Sequence, residues 1–178
     1  MDKSDLRVVR TKQLLSTTLF RLLETTSFTK ITVNDICKDA LVSRSAFYAH
    51  FEDKYDLLQF SMKVLNCNIL DEEETGDFHE MIHQVLGNIK DNVRIFKNLL
   101  INDFEVTTLE MFRDSFQIEL QEVISEKECF PLTLPEPVDV SIAYYAFGIT
   151  STIIYWIQKG LKYDIDTMAN CINDLVLK

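Results

Sequence analysis

Two short stretches carry side chains at spacings that could do chemistry. The first is LVSRSAFYAHFEDKYDLL, residues 41–58. A helix over Arg44–Ala49 puts Arg44, Ser45, Ala46, Tyr48 and His50 on the face away from Phe47. These groups can donate to phosphate oxygens and base edges, and a small methyl can meet a thymine methyl. The second is HEMIH, residues 79–83. On a helix His79 and His83 fall one turn apart and could bind zinc, with Glu80 as general base and Glu105 as a third ligand. That would make a zinc hydrolase or, with Cys67, a metal sensor. The motif is short, and an acidic amphipathic helix places two His four apart by chance. No strand is visible to edge a substrate cleft. The expectation is therefore no enzyme, no metal and no cofactor, with the zinc reading kept as the alternative.

The first stretch needs elements to hold it. Leu14, Leu15, Leu19, Leu22 and Leu23 recur at helical spacing and form one apolar face. Thr25-Thr26-Ser27 favours a turn, and Phe28 and Ile31 read as core residues. Thr32-Val33-Asn34-Asp35 has capping-box character, with Asp35 at the third position. It predicts a short helix over Val33–Asp39 that turns Ile36 and Ala40 inward. Leu41-Val42 is a tight connection, and Ser43 caps the next helix. Phe47 and Phe51, four apart, face the core. Asp53 starts a helix through Leu57, Leu58, Met62 and Leu65. Two short helices across a tight turn, behind a longer one, make a helix-turn-helix.

Composition frames this reading. Only 4 Gly and 3 Pro occur in 178 residues, which favours long helices over a many-stranded sheet. The net charge of −10 is unevenly spread. Residues 1–58 hold 9 basic and 8 acidic side chains; residues 59–178 hold 9 and 20. Any DNA contact must come from the first part. Lys3, Arg7, Arg10 and Lys12 read as a flexible phosphate-binding arm or a solvated terminus. Cys37, Cys67, Cys129 and Cys171 are scattered, as expected of reduced thiols in a cytoplasmic protein. The opening residues do not read as a secretion signal.

Beyond an acidic loop at 71–76, helices are expected over Phe78–Leu86, Ile89–Phe104 and Thr108–Ile124. A proline-rich stretch, Phe130–Pro137, interrupts them. Val138–Gly160 is apolar nearly all round, with Gly160 as its stop, and Ile165–Leu177 closes the chain. An apolar 20-residue helix can span a membrane or be buried on two sides. The polar and tyrosine content favours burial, with one side against a second copy and no membrane. The expected dimer interface comprises Tyr144, Phe147, Gly148, Ser151, Thr152, Tyr155, Met168, Ile172 and Leu175.

Residues 31–58 resemble the DNA-binding signature of the TetR family of bacterial transcription regulators. Thr32, Ile36, Ala40, Val42, Ser43, Tyr48, His50, Phe51, Lys54 and Leu57 stand in the matching places. Leu41 replaces the usual turn glycine, and Ala46 a common threonine. The resemblance implies an all-α fold: a helix-turn-helix domain over 1–52 and a helical dimerisation and ligand-binding domain over 53–178. It implies phosphate contacts from Thr32, Tyr48, His50 and Lys54, and base contacts from Arg44, Ser45 and Ala46, with Ser43 at the helix start. The implied partners are an operator in double-stranded DNA, read as a palindrome by a homodimer, and a small apolar inducer. Phe104, Phe112, Phe116, Tyr144 and Trp156 are candidates to line the inducer pocket, with plain core packing as the competing role. Repression is the expected sign.

Overall fold

The structure, a computed structural model, describes residues 3–69, 78–102, 105–126 and 134–177. Nine α-helices and no strand occur among the described residues: α1 Lys3–Leu23, α2 Val33–Asp39, α3 Arg44–Tyr48, α4 Lys54–Ile69, α5 Phe78–Asp91, α6 Val93–Leu100, α7 Val106–Glu126, α8 Val138–Gln158 and α9 Ile165–Leu177. The fold is all-α.

The caps work as the sequence suggests. The Thr32 hydroxyl accepts from the Asp35 backbone N–H at 3.2 Å, and the Asp35 carboxylate accepts from the Thr32 N–H at 3.0 Å. Donations to Asp35 Oδ2 from the Thr32 hydroxyl and, after it, the Thr32 N–H hold the Asp35 carboxyl below its usual range. Ser43 Oγ accepts from the Ala46 N–H at 3.2 Å and starts α3. Between α2 and α3 the Val42 N–H reaches back to the Cys37 carbonyl at 3.0 Å, and Leu41 takes φ +55°. This is a left-handed helix stop, built on leucine where glycine is the usual residue. Gly160, at φ +70°, ends α8 in the same way.

The head comprises α1, α2, α3 and the first turns of α4. Its core is Leu15, Leu19, Leu23, Ile36, Phe47, Leu57 and Leu58, all fully buried. A five-residue helix is not stable alone. Phe47 anchors α3, with Phe51 5.8 Å away between ring centres; burying one such ring contributes about 2–3 kcal/mol.

In the second region α5 packs on α9 and α7 on α8. Trp156 is 1% exposed, and its indole N–H donates to the Tyr163 carbonyl at 2.8 Å. By length and composition α8 could cross a membrane. Ile142, Ala146, Ile149, Ile153 and Ile157 of α8 are buried, while Val140, Tyr144, Phe147 and Tyr155 are exposed. Its apolar surface is thus divided between a core face and an open face.

Three features depart from the sequence reading. The expected helix over Ile89–Phe104 is two helices, α5 and α6, broken at Asn92. The Asn92 amide donates to the Asn88 carbonyl at 3.0 Å; such side chains compete with the helical backbone. The basic N-terminal stretch is part of α1 from Lys3 on, not a flexible arm. Met168 and Ile172 of α9 are 6% and 1% exposed. They belong to the chain's own core, where α9 meets α5, and cannot be presented to a partner.

Candidate nucleic-acid interface

The candidate recognition surface is built on α3. Arg44, Ser45 and Tyr48 are exposed, and Ala46 and His50 are half-buried. The Arg44 guanidinium sits 5.9 Å from the Tyr48 ring centre, and Tyr48 meets Phe47 edge-on at 5.4 Å. Tyr48 is thereby braced from the core while its outer edge faces solvent. Ser45 Oγ lies 3.0 Å from Ser43 Oγ, so the cap also orients a second hydroxyl. An ion pair of 2.6 Å from Arg21 to Asp39 ties α1 to α2.

Lys54 is a correction. The resemblance implies a phosphate contact, yet its ammonium donates to the carbonyls of Phe28, Thr29 and Ile31 at 2.8, 3.2 and 3.1 Å. An ammonium has three donors, and all three are occupied. It also lies 4.5 Å from the Phe28 ring centre. Desolvation pushes its pKa down. Lys54 fastens the segment before α2 to the start of α4, and so sets the height of the whole motif. The Thr32 hydroxyl is similarly engaged: it donates to Asp35 Oδ2 at 2.6 Å.

Three residues that the sequence reading did not assign to the head join it to the second region. The Asn98 amide of α6 donates to the Leu23 carbonyl at 2.8 Å, closing the end of α1. The Tyr55 hydroxyl donates to Glu105 Oε1 at 2.6 Å. Tyr55 stacks edge-on against Phe28 at 5.3 Å, beside Lys54. Burial and the adjacent Glu105 carboxylate, chiefly through the hydrogen bond, push the Tyr55 phenol up to about 12. Glu105, read as a possible zinc ligand, is engaged here instead.

The HEMIH histidines lie on the α5–α9 seam. His79 Nε2 lies 3.1 Å from Asn170 Oδ1, and His83 Nε2 3.0 Å from Asp166 Oδ1. Each imidazole has its own partner on α9. No group of three metal-ligating side chains occurs among the described residues. Cys67 is not described at the side chain and Cys129 not at all.

The pocket candidates separate. Phe112 and Trp156 are buried in the core, whereas Tyr144 is 73% exposed. Tyr144 therefore cannot line an interior pocket; it belongs to the open face of α8. Phe116 is half-buried against the core. Phe104 lies outside the described residues. On the open face Phe147, Gly148, Ser151, Tyr155 and, on α9, Leu175 are also exposed, and Thr152 is half-buried.

Comparison with known proteins places this geometry. Residues 17–59 match the family described as "Bacterial regulatory proteins, tetR family". Residues 76–178 match "Transcriptional regulator C-terminal region". Among solved structures, a TetR transcriptional regulator from Streptococcus agalactiae 2603V has 23% identity and a TM-score of 0.69, over 98% of each chain. The dihydroxyacetone kinase operon activator DhaS has 17% identity and a TM-score of 0.66, over 95% of each chain. NalD, the secondary repressor of the MexAB-OprM efflux pump in Pseudomonas aeruginosa, has 15% identity and a TM-score of 0.60, over 96% of this chain and 95% of its own. No curated protein matches the chain by sequence.

Proposed function

The chain belongs to the tetR family of bacterial transcriptional regulators, and we propose that it acts as a homodimeric, ligand-responsive repressor in the cytoplasm. As a member of that family it is a DNA-binding transcriptional regulator. The observation that carries the reading is the pairing of a braced polar α3, exposed at Arg44, Ser45 and Tyr48, with the open apolar face of α8. An α-helix fits the major groove. A two-fold dimer sets two such helices about one DNA turn apart on a palindrome. Arg44 can grip a guanine by two hydrogen bonds, with Ser45 and Ala46 reading neighbouring pairs, and Tyr48 and His50 set the register on phosphates.

The dimer reading rests on Tyr144, Phe147, Gly148, Ser151, Tyr155 and Leu175, with Thr152 at the edge. Exposed apolar surface of this extent on two adjacent helices marks a contact. Repression requires only these two surfaces, since a regulator seated on a promoter excludes polymerase. The division adopted is a head of residues 1–52 and a second region of 53–178, with α4 shared between their cores. Ligand response would require a pocket for a small apolar molecule, and of the residues expected to line it Phe112, Phe116 and Trp156 lie on the core side. The molecule would act by binding unequally to two dimer geometries that space the recognition helices differently.

The test is selection of bound duplexes from a random pool at near-physiological salt, with wild type and Arg44→Ala in parallel. The expected result is a palindromic motif that the variant loses or relaxes. No enrichment by wild type would sink the reading.

A further inference from the structure

Helix α1 reaches well past the head it helps to build. It has 21 residues, about 30 Å of helix. Its C-terminal end sits at the junction, where Asn98 of α6 holds the Leu23 carbonyl. Midway, the Lys12 ammonium lies 5.5 Å from the ring centres of both Phe51 and Phe60. Phe51 closes the turn after α3, its N–H bonding the Phe47 carbonyl at 3.0 Å. So α1 runs from the junction past the end of the recognition helix. Arg10 and Arg7 lie beyond Lys12 by about 3 and 8 Å along the axis. Residues 6–10 are all exposed, and the first buried side chain is Leu15.

Arg7 and Arg10 share one register on this helix. The same register leads through Leu14 to Arg21, which pairs with Asp39 of α2. The basic stripe is therefore on the α2 side of α1, at the pole remote from the acidic second region. The projecting turns would be marginal in isolation, but they propagate from a buried nucleus. They need little further ordering on binding, unlike a disordered tail. The tetR match begins at residue 17, so the projecting turns lie outside it.

We propose that the first turns of α1 form a rigid basic arm that grips phosphates of the duplex flanking the operator, through Arg7 and Arg10. This rests on the DNA-binding reading above. The partner is DNA because the stripe is cationic and lies on the domain that carries α3, at the end of α1 away from the acidic second region. Such contacts add affinity without base preference and steepen the salt dependence.

The experiment uses full-length protein and duplexes carrying the selected motif with short or extended flanks, titrated over a range of salt. Wild type is compared with Arg7→Gln/Arg10→Gln and with the charge-keeping Arg7→Lys/Arg10→Lys. Wild type should bind extended duplexes more tightly than trimmed ones. The Gln variant should lose that gain, keep the motif, and show a log–log salt slope shallower by about 2 per bound protomer. The Lys variant should keep the slope. A Gln variant indistinguishable from wild type, on a motif that wild type does select, would overturn the arm alone. So would a change in its oligomeric state, which would assign the exposed Leu6 and Val9 to a second copy. Failure of wild type to select any motif would instead remove the regulator reading, and the arm with it.

Discussion

The Tyr55 hydroxyl donates a 2.6 Å hydrogen bond to Glu105 Oε1, joining the first turn of α4 to the residue before α7. Tyr55 packs on Phe28, and Phe28 lies under the Lys54 ammonium. Lys54 in turn holds the carbonyls that lead into α2. A continuous chain of direct contacts thus links the start of α7 to the segment that leads into α2. Glu105 Oε2 is buried with no hydrogen-bond partner among the described residues, so the carboxylate depends on Tyr55.

Tyr55→Phe should lower stability by about 1.5–3 kcal/mol, the range for a hydrogen bond to a charged group. Chemical denaturation measures it. The wild type should also show an alkaline signature. The folded phenol titrates at about 12 against an ordinary value of 10.0. The folded state then holds the proton more tightly, so this contribution is present below pH 10 and is lost as pH rises from 10 to 12. Tyr55→Phe should lack that component of the alkaline loss, and tyrosinate absorbance should lose a component that titrates toward pH 12.

Lys54→Met should unfold at lower denaturant, by about 1–3 kcal/mol, because three carbonyls lose their donor. Operator affinity should fall with it. The slope of affinity against salt should not change, since Lys54 makes no phosphate contact in this geometry. A slope shallower by about 0.9 per protomer would restore the phosphate role that the resemblance implies.

Leu41→Gly should stabilise the chain. Leu41 holds φ +55° and is 94% exposed, so the substitution removes left-handed strain with almost no packing to lose. The strain is about 1–2 kcal/mol, offset in part by the greater freedom of glycine in the unfolded chain. A net gain of about 0.5–1 kcal/mol should raise the thermal midpoint by a few degrees.

Tyr144→Glu with Phe147→Glu should convert a dimer to a monomer in sedimentation analysis. The head should stay folded and operator affinity should fall steeply, because one recognition helix then binds without its twin. Met168→Ala should act differently. It opens a cavity in the chain's own core at a cost of about 2–5 kcal/mol, with loss of stability rather than a specific loss of dimerisation.

What could be read without coordinates was local. The capping box at Thr32 and Asp35, the Ser43 cap, the Phe47–Phe51 spacing and the Gly160 stop each depend on neighbours within five residues. Helical geometry alone brings those groups together. The open and core faces of α8 could not be separated in this way. An all-round apolar helix has no periodicity to mark which side meets its own chain. In α9 the amphipathic pattern marks one apolar stripe but not whether it meets its own chain or a second copy, and Met168 and Ile172 are buried in their own chain. Lys54 matched the family position, but which oxygens it meets was set 23–26 residues away by how the short turn of Phe28–Ile31 packs on α4. Tyr55–Glu105 and Asn98–Leu23 span 50 and 75 residues. No pattern in the chain announces such pairs; they exist because packing of α6 and α7 on the head brings single donors and acceptors within reach. Sequence determined the helices of the head and the polar face of α3. Tertiary packing decided where the helices of the second region break and which polar groups stay free of the chain's own carbonyls and carboxylates.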